Sequence, residues 1–397
     1  MRRILVIQNG DYAEAYDRFA AGGEETYRDQ RASVKLFADM TPRDSVTTVA
    51  IGVPEHDRLL APNLRSVGMP DESDRAGPRD RLVDREEPTH VILRTPHLGF
   101  ARSVARRQAH VLPMFADLFS RGGPRGRLRT FMLRRALHAA RVPCVANHGL
   151  NASRSLVAVL GYAPERVVPW EQDNLSLDGP PKPAPDAGLP LRLFYVGSLR
   201  ADKGVGDLLA AVAQLMADGL DVEATIVGGG DAGPWRAEAG RLGVDGAVTF
   251  PGLLPNVEVR SRMAEHDVVV VPSRHEYPEG LPNSIAEGLA SRSPVVISDH
   301  PAFLGRVSEG ACLVFRAGDA RDMARQIARL RHDPSLYVAL SSGSEAALAK
   351  LPFGLPWSRL IHLFLDDPED RTGWVGANSL ATMLAARPAP AAGASAP

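Results

Sequence analysis

Residues 275–290, HEYPEGLPNSIAEGLA, join a predicted buried strand to a predicted helix. The preceding residues 267–272 form a continuous apolar run of strand length and β-branched composition, which is typical of a parallel strand covered on both faces. After the junction, apolar residues recur at helical spacing, and Pro282 suits the first turn of a helix. The stretch therefore predicts the strand, loop and helix from which α/β domains with parallel sheets are built.

The start of this helix is a predicted anion site. Asn283 and Ser284 offer side-chain oxygens beside the unpaired backbone donors of the first turn. The positive end of the helix dipole also favours a phosphate there. Glu279 lies in the loop before the helix, and Glu287 lies about one turn inside it, on the face shared with Asn283. Two carboxylates are therefore expected to flank one phosphate site.

The two glutamates and their surroundings resemble a known motif. Glu279 and Glu287, within Glu-Gly-Leu-Pro-Asn…Glu-Gly-Leu-Ala, resemble the donor motif of the family 4 retaining glycosyltransferases. Glutamates at this spacing are a weak signal alone, but here a buried strand ending in Pro-Ser precedes them and a helix carries them. The resemblance implies the GT-B fold, an α/β protein with two Rossmann-like, doubly wound parallel-sheet domains facing each other across a cleft. The alternative is a helix whose glutamates are merely solvated.

Length, charge and cysteine usage limit the possible classes of protein. A chain of 397 residues is long enough for two domains. Its formal net charge of −1 creates no overall attraction to nucleic acid. Cys144 and Cys312 lack the spacing of metal ligands, so no metal site is predicted. Neither a signal peptide nor a transmembrane segment is apparent, and the product is expected in the cytoplasm.

The first half of the chain alternates predicted strands and helices, as in α/β domains with parallel sheets. Asn9-Gly10 and Gly22-Gly23 predict turns where a ligand can approach the backbone closely. Residues 70–88 are charged and interrupted by prolines, which predicts a surface connection. Strands are predicted at residues 3–8, 45–52, 89–95, 109–115, 142–147 and 166–170, and helices at residues 24–40 and 152–160.

A proline-rich segment separates the two halves. Residues 178–186, DGPPKPAPD, cannot form a regular element and predict a stiff linker. Strands are then predicted at residues 191–196, 222–227, 247–250, 267–271, 294–298 and 312–315, with helices starting near residues 204, 235, 282, 319 and 334. Together with the resemblance, these elements predict five consecutive parts of the chain. They are an acceptor-side Rossmann-like domain at 1–178, a linker at 179–190, a nucleotide-sugar donor domain at 191–352, a helical segment at 353–386 that packs back on the first domain, and a disordered tail at 387–397.

A second group of residues completes the predicted donor site after the first strand of the second half. Gly197 lets the backbone approach a ligand, and Arg200 and Lys203 are cations that could neutralise a diphosphate leaving group. The segment resembles the family's Gly-Arg-Leu…Lys-Gly sequence, in which Gly197, Lys203 and Gly204 match. The family's usual arginine corresponds to Ser198, so Arg200 is predicted as a substitute cation. The alternative is that both cations are surface charges at a helix start.

A glycine-rich turn raises the possibility of NAD binding. Residues 228–233, GGGDAG, follow a strand, precede a helix and fit Gly-x-Gly-x-x-Gly. The acidic residue expected about twenty positions further on is absent from residues 248–252, which argues against NAD. The segment instead resembles the family's glycine turn beside the nucleotide, with the next loop lining the base. The predicted donor-binding residues are Gly197, Ser198, Gly228, Gly230, Gly252, Leu253, Gly280, Leu281, Asn283, Ser284 and Glu287.

The first half is expected to bind the acceptor. Many members of the family carry a histidine after a strand of this domain, and the order of elements places that position close to Ala116-Asp117, where no histidine is present. Asp117, His97 and His148 end or follow predicted strands, where ligands of open α/β sheets bind. Asp117 and His97 are therefore predicted as catalytic candidates. A hydrogen-bonded structural role is the alternative for each histidine.

The segment Arg121–Arg141 contains seven arginines and no acidic residue. If it is helical, part of it could lie on an anionic membrane surface or meet a negatively charged acceptor such as a polyprenyl diphosphate-linked sugar. A solvated face of an arginine-rich protein is the alternative. Nucleic acid is not expected as a partner, because the aromatic stacking groups that it needs are few. The apolar residues between the arginines include Leu128, Phe131, Met132 and Leu137.

These features predict an enzyme that moves a sugar from a nucleoside diphosphate donor to a hydroxyl acceptor with retained anomeric configuration, in polysaccharide or glycoconjugate biosynthesis. Glu279 would hold the sugar, Lys203 and Arg200 the diphosphate, and Glu287 the ribose. A uridine donor is preferred over a guanosine donor on family frequency, and neither a metal nor another cofactor is expected. The alternatives are a catalytically inactive subunit that binds a sugar nucleotide, and a sugar-nucleotide epimerase of the same architecture.

Overall fold

The structure is a computed structural model that describes residues 1–70, 76–120, 122–172, 175–280, 282–307 and 310–386. The chain divides into two compact units. The first unit consists of Met1–Ala21, Arg31–Gln172 and the described chain from Phe353 onward. The second unit consists of Gly22–Gln30 and Asp173–Pro352. The tail predicted at residues 387–397 lies outside the described residues.

Strands and helices alternate through both units. The strands are β1 Arg3–Asn9, β2 Ser45–Ile51, β3 His56–Ala61, β4 Leu64–Met69, β5 His90–Leu93, β6 His110–Phe115, β7 Val145–His148, β8 Val167–Glu171, β9 Leu191–Val196, β10 Val222–Val227, β11 Val248–Gly252, β12 Val268–Val271, β13 Val295–Ser298, β14 Cys312–Phe315 and β15 Leu355–Pro356. The helices are α1 Tyr12–Ala20, α2 Gln30–Met40, α3 Ala76–Glu86, α4 Leu98–Ala105, α5 Pro124–Ala139, α6 Gly149–Leu160, α7 Val205–Ala217, α8 Gly233–Leu242, α9 Asn256–Glu265, α10 Asn283–Ala290, α11 Ala320–His332, α12 Pro334–Lys350, α13 Trp357–Asp366, α14 Trp374–Ala377 and α15 Leu380–Ala385. Within the described ranges, no helix is long and apolar enough to cross a membrane.

The sheet of the first unit has nine strands in the order β15-β8-β7-β6-β5-β1-β2-β4-β3. Its strands run parallel except for β3, which pairs antiparallel with β4. In β1, Leu5 and Ile7 belong to one hydrophobic cluster, whereas Ile4 and Val6 belong to another. Successive side chains of a strand point to opposite faces, so the continuous apolar run of β1 fills the cores on both sides of the sheet.

The sheet of the second unit has six parallel strands in the order β11-β10-β9-β12-β13-β14. The chain proceeds outward from β9 through β10 to β11, and then on the other side from β12 through β13 to β14. The order of strands therefore reverses between β9 and β12. Ligands of open α/β sheets bind beyond the carboxyl ends of the strands at such a reversal.

The helix predicted at residues 24–40 was wrong in its first part. The structure has α1 before this segment and begins α2 only at Gln30. The α1 helix starts after Asp11, whose carboxylate accepts hydrogen bonds from the amides of Ala13 and Glu14. These hydrogen bonds satisfy backbone donors of the first helical turn, in a segment that was not predicted to be helical.

The surface connection predicted at residues 70–88 was also wrong, because it contains α3. This helix buries Leu82 and Val83 and is otherwise rich in charge, so its apolar signal is weak. The β3–β4 hairpin and the helices α4 and α9 were missed as well. At the sheet edge, three of the six residues of β3 are exposed and three are half-buried, so the strand lacks the alternation by which a strand is predicted.

The two units divide the chain differently from the predicted domains at residues 22–30. These residues were placed in the first domain, but the structure groups them with the second unit. There the amide of Asn256 donates a hydrogen bond to the carbonyl oxygen of Glu25 at 2.6 Å. A segment that lies between α1 and α2 in sequence therefore contributes to the second unit.

The segment predicted as a linker at residues 179–190 belongs to the second unit. Its Lys182 ammonium donates to the hydroxyl of Ser293 at 2.6 Å and to the carbonyl oxygens of His266 and Met263 at 2.7 and 3.1 Å. Burial lowers the pKa of Lys182 to about 8. The specific polar contacts of Lys182 therefore fix this segment on the second unit.

Candidate active site

Glycine turns lie at the carboxyl ends of three neighbouring strands in the second sheet. The amide of Gly197 donates to the carbonyl oxygen of Val227 at 3.0 Å, and the amide of Gly228 donates to that of Gly252 at 2.9 Å. Gly228 has a φ of 152°, and a Cβ atom there would lie 1.7 Å from the carbonyl oxygen of Gly197. Only glycine fits this position, and the absence of a side chain lets the strand ends approach one another closely.

A largely buried ion pair joins the loops that follow β9 and β12. Lys203 ends the short 3-10 turn Ala201–Lys203, and its Nζ lies 2.9 Å from Oε1 and 2.6 Å from Oε2 of Glu279. The two side chains are only 13% and 8% exposed. The Ser273 hydroxyl donates a further hydrogen bond to Oε2 of Glu279 at 2.9 Å. The structure therefore brings two predicted catalytic residues together where the strand order reverses.

Tyr277 and His300 support the loop that carries Glu279. The Nζ of Lys203 lies 4.1 Å from the centre of the Tyr277 ring, which is a cation–π distance. The Tyr277 carbonyl oxygen accepts hydrogen bonds from the Glu279 amide at 2.7 Å and from Nε2 of His300 at 3.0 Å. Nδ1 of His300 accepts from the Ala302 amide at 3.1 Å, which assigns a neutral ring with its proton on Nε2. Burial lowers the pKa of His300, in keeping with this assignment.

Helix α10 starts shortly after Glu279. Pro282 is its N-cap residue, one position before the first turn in which it was predicted, and no side chain of the described residues caps the helix. Asn283 is half-buried and Ser284 is buried at the first two helical positions. Their backbone N–H groups lie at the positive end of the helix dipole, an arrangement that binds phosphate in many proteins.

Glu287 is almost completely buried inside α10, with 3% exposure. Nδ2 of Asn256, the first residue of α9, donates to Oε1 of Glu287 at 2.8 Å. Burial raises the pKa of Glu287, while the Asn256 hydrogen bond and the charges of Arg28 and Arg260 oppose that change. A ribose bound to this carboxylate would share it with Asn256.

Arg200, the predicted substitute cation, forms a bidentate ion pair with Asp202. Its Nε and Nη2 atoms lie 2.9 and 2.6 Å from the two carboxylate oxygens. The hydrogen bonds raise the pKa of Arg200 and lower that of Asp202. The Arg200 side chain is 61% exposed, unlike that of Lys203. Arg200 is therefore a partnered surface cation that would have to exchange Asp202 for a diphosphate.

The other predicted donor residues follow strands of the same sheet. The carbonyl oxygen of Ser198 accepts a hydrogen bond from a buried tyrosine of β9 at 2.9 Å. Gly230 has a φ of 124°, which favours glycine, and Gly280 is half-buried. The Leu253 side chain is 60% exposed after β11. Leu281 lies outside the described residues.

The predicted acceptor-side residues lie in the first unit. Asp117 follows β6, and burial raises the pKa of its carboxyl group to about 6. His97 is the N-cap of α4, where its Nδ1 accepts a hydrogen bond from the Phe100 amide at 3.2 Å. This contact is a hydrogen bond of the kind that the structural alternative for His97 requires. Nε2 of His148 lies 3.0 Å from Oε2 of Glu171, and both side chains are buried.

Sequence reasoning assigned no role to three residues that contact the predicted ones, Ser273, Tyr277 and Asn256, or to His300, which contacts Tyr277. Ser273 ends the Pro-Ser dipeptide after β12, and Tyr277 lies within the opening stretch, so position alone could have drawn attention to both. Asn256 begins a helix that was not predicted. His300 follows β13, and the only signal for it was the general rule that ligands of open sheets bind beyond the carboxyl ends of the strands.

Part of the second unit matches a known family of proteins. Residues 190–333 match the family model of the glycosyl transferases group 1. The chain is 33% identical over 149 residues to a protein assigned to teichuronic acid biosynthesis as the glycosyltransferase TuaC of Bacillus subtilis, and the match covers 37% of this chain and 35% of that protein. The chain spans only about two fifths or less of the length of the first curated relatives that it matches. The predicted resemblance is confirmed, and it is carried by this region.

Two solved structures share the fold over most of the chain. Sucrose-phosphate synthase from Thermosynechococcus elongatus aligns with a TM-score of 0.66 at 18% identity, over 92% of this chain and 98% of that one. HepE of Anabaena, in complex with UDP and glucose, aligns with a TM-score of 0.66 at 14% identity, over 92% of this chain and 100% of that one. At such identities the likeness concerns the fold alone. The predicted GT-B fold, with two domains built on parallel sheets, is confirmed.

Proposed function

We propose that this protein, whose residues 190–333 match the glycosyl transferases group 1, transfers a hexosyl group from a nucleoside diphosphate sugar to a hydroxyl acceptor with retained anomeric configuration. The observation that carries the proposal is the buried Lys203–Glu279 ion pair in front of α10. The relative assigned to teichuronic acid biosynthesis supports a polysaccharide or glycoconjugate product. The fold shared with HepE, which binds UDP and glucose, supports a uridine donor over a guanosine donor.

Lys203 is the residue proposed to neutralise the departing diphosphate. Negative charge grows on the diphosphate as its bond to the sugar breaks, and a cation prepositioned in a buried site lowers the energy of that state. Lys203 lies between the Glu279 carboxylate and the Tyr277 ring, so it would exchange one anionic partner for another. The backbone N–H groups of Asn283 and Ser284 would add the positive end of a helix dipole. Because these groups supply the positive charge, the proposal includes no metal ion.

Glu279 and Glu287 are proposed to bind opposite ends of the donor. Glu279 would hold hydroxyl groups of the sugar and oppose the positive charge that develops on the anomeric carbon, a contact that strengthens toward the transition state. Glu287 would accept hydrogen bonds from the ribose together with Asn256, whose amide already orients the carboxylate. Interactions with the ribose are alike in ground and transition states, so they contribute mainly to donor affinity.

Asp117 is the proposed acceptor-side group in the first unit. A carboxyl group with a pKa of about 6 is mostly ionised at neutral pH and can accept a proton from an attacking hydroxyl. His97 is less suited to this role, because its Nδ1 is engaged at the start of α4. The reaction is proposed to take place in the cytoplasm.

The proposal is tested by incubating the purified protein with UDP- and GDP-sugars and a panel of hydroxyl acceptors. We expect acceptor-dependent release of the nucleoside diphosphate, unchanged by a metal chelator, and a product whose anomeric proton coupling matches that of the donor. Isomerisation of the donor without an acceptor would instead identify an epimerase. Donor binding without turnover over the whole panel would favour an inactive binding subunit, and an inverted product would contradict retention.

A further inference from the structure

Helix α5 packs on the first unit through a narrow apolar stripe. Leu133, Ala136 and Leu137 are buried and belong to the hydrophobic cluster on one face of the sheet. Leu128 and Phe131 project on the other side of the helix, where their side chains are 59% and 60% exposed. Residues three apart are neighbours on a helix surface, so these two side chains form a single apolar spot directed away from the core.

Exposed arginines of the same helix lack neutralising partners. Five exposed arginines of α5 form no ion pair with any described residue. In the same unit, by contrast, Arg106 and Arg107 after α4 pair with Asp80 and Asp84 of α3. The five arginines are Arg125, Arg127, Arg129, Arg134 and Arg135.

The stability of the helix does not explain this accumulation of positive charge. Arg125 and Arg127 lie in the first turn, at the positive end of the helix dipole, and the first turn contains no acidic residue. Arg125 and Arg129 are four residues apart, a spacing at which like charges repel. The N-cap residue Gly123 provides no side-chain hydrogen bond. The whole chain has a net charge of only −1, so the positive charge of α5 is a local concentration, and it destabilises the helix.

We propose that the exposed face of α5 binds the surface of an anionic membrane. The guanidinium groups would contact lipid phosphates, while Leu128 and Phe131 would enter the boundary between the headgroups and the acyl chains. An anionic leaflet provides both the negative charge and the apolar layer that this helix face lacks within the protein. The inference does not depend on the proposed transferase activity, because it concerns one helix of the first unit.

The charge requirement is tested by sedimentation of the full chain with vesicles of phosphatidylcholine and phosphatidylglycerol in equal parts. We expect the wild type to bind these vesicles, to ignore vesicles of phosphatidylcholine alone and to dissociate as salt is raised. The double variant R127A/R135A should bind on the order of tenfold more weakly or worse. The matched control R43A/R81A removes two exposed arginines that also lack an ion pair among the described residues, and it should bind like the wild type.

The apolar requirement is tested at unchanged charge. L128S/F131S should lose binding, whereas L59S, which changes a 67% exposed leucine of β3, should retain it. A tryptophan introduced by Phe131→Trp should shift its emission to shorter wavelength when the anionic vesicles are added. Unfolding curves of all variants should match that of the wild type, because each substituted side chain is exposed.

Three outcomes would overturn the proposal. The first is a wild type that does not prefer the anionic vesicles, or that binds a single-stranded RNA or an acidic polypeptide more tightly than it binds them. The second is equal loss of binding in R127A/R135A and R43A/R81A, since net charge alone would then decide. The third is full binding by L128S/F131S, or an emission spectrum of Phe131→Trp that vesicles leave unchanged.

Discussion

Lys203 contributes to the stability of the second unit as well as to its proposed chemistry. A surface charge at a helix start was the alternative for this lysine, but the side chain is nearly enclosed and pairs with a buried carboxylate. Removing one partner of a buried ion pair leaves an uncompensated charge, which costs far more than the loss of a surface contact. A substitution of Lys203 therefore has two effects, and only a second substitution can separate them.

We expect Lys203→Met to lower the free energy of unfolding by about 3–5 kcal/mol, because the Glu279 carboxylate would remain buried without a cation. The double variant K203M/E279Q should recover most of that stability, since a neutral amide needs no counter-charge. It should nevertheless remain inactive in sugar transfer. Urea unfolding and turnover of the same three proteins provide the measurement.

Two results would contradict this account of Lys203. Turnover restored in K203M/E279Q would show that the lysine matters for packing and not for the leaving group. Wild-type stability in Lys203→Met would show that the ion pair contributes nothing to the fold.

The Asp117 carboxyl group should set the acidic limb of the pH–rate profile. Burial raises its pKa to about 6, so the carboxylate is lost as pH falls through that value. We expect kcat/KM of the wild type to fall about tenfold per pH unit below this pKa. Asp117→Asn should be slow and should lack that limb. An unchanged profile in Asp117→Asn would assign the limb to another group.

At the scale of elements, the glycine turns and α10 depend on close approaches of the backbone. The turn after β10 reaches the strand end of β9 at a distance that leaves no room for a Cβ atom. The start of α10 has a similar requirement, because a phosphate can bind to its free backbone N–H groups only if no side chain already accepts hydrogen bonds from them. Both requirements concern the space at the ends of strands and helices, where nearly all of the proposed donor contacts lie.

Gly228→Ala should destabilise the second unit and weaken nucleotide binding. The new Cβ would lie 1.7 Å from the Gly197 carbonyl oxygen in a backbone conformation with a φ of 152°, and relief of that strain would displace both turns. We expect a cost of roughly 1–3 kcal/mol in unfolding free energy. Gly246→Ala is the matched control, because nothing lies within 4 Å of its added Cβ. Calorimetric titration with UDP should show lost affinity only in Gly228→Ala, and equal affinity in both variants would refute the close-approach argument.

At the scale of the whole molecule, the single lysine of the proline-rich segment 178–186 holds this segment on the second unit. The half-buried Lys182 lies among hydrogen-bond acceptors, yet its partial burial lowers its pKa to about 8. The unfolded chain, with an ordinary lysine, therefore binds more protons than the folded chain between this pKa and the ordinary lysine pKa of 10.5. Stability must rise with pH across this window.

We expect the unfolding free energy of the wild type to rise relative to that of Lys182→Met between pH 8 and pH 10.5, by up to about 3 kcal/mol. Lys35→Met is the control, because Lys35 is an exposed lysine paired with Asp39 on the surface of the first unit. The difference in unfolding free energy between Lys35→Met and the wild type should not change with pH in this way. Urea unfolding of the second unit, repeated across the pH range, provides the comparison, and parallel curves for wild type and Lys182→Met would contradict the buried-lysine interpretation.

Local sequence was sufficient for most strands of the two sheets and for one edge of the site. The apolar run of β12, the loop with Glu279 and the start of α10 are adjacent in sequence, so their pattern predicted a parallel strand followed by a helix. Glycines at strand ends were recognisable for the same reason, because a turn depends on a few neighbouring residues. Elements with weak apolar signals, such as β3 and α3, were missed because exposed charge hides their periodicity.

Only the tertiary structure decided the electrostatic environment of the individual residues. Lys203 and Glu279 are 76 positions apart, and nothing in the sequence near either one indicates that they share a buried ion pair. Asn256 and Glu287 meet across 31 positions in the same way. A charged group is stabilised or destabilised by the groups that surround it in space. The order of the strands decides which groups those are. The sequence determined which groups were available to the site, whereas the fold determined which were buried, which were paired and which remained exposed.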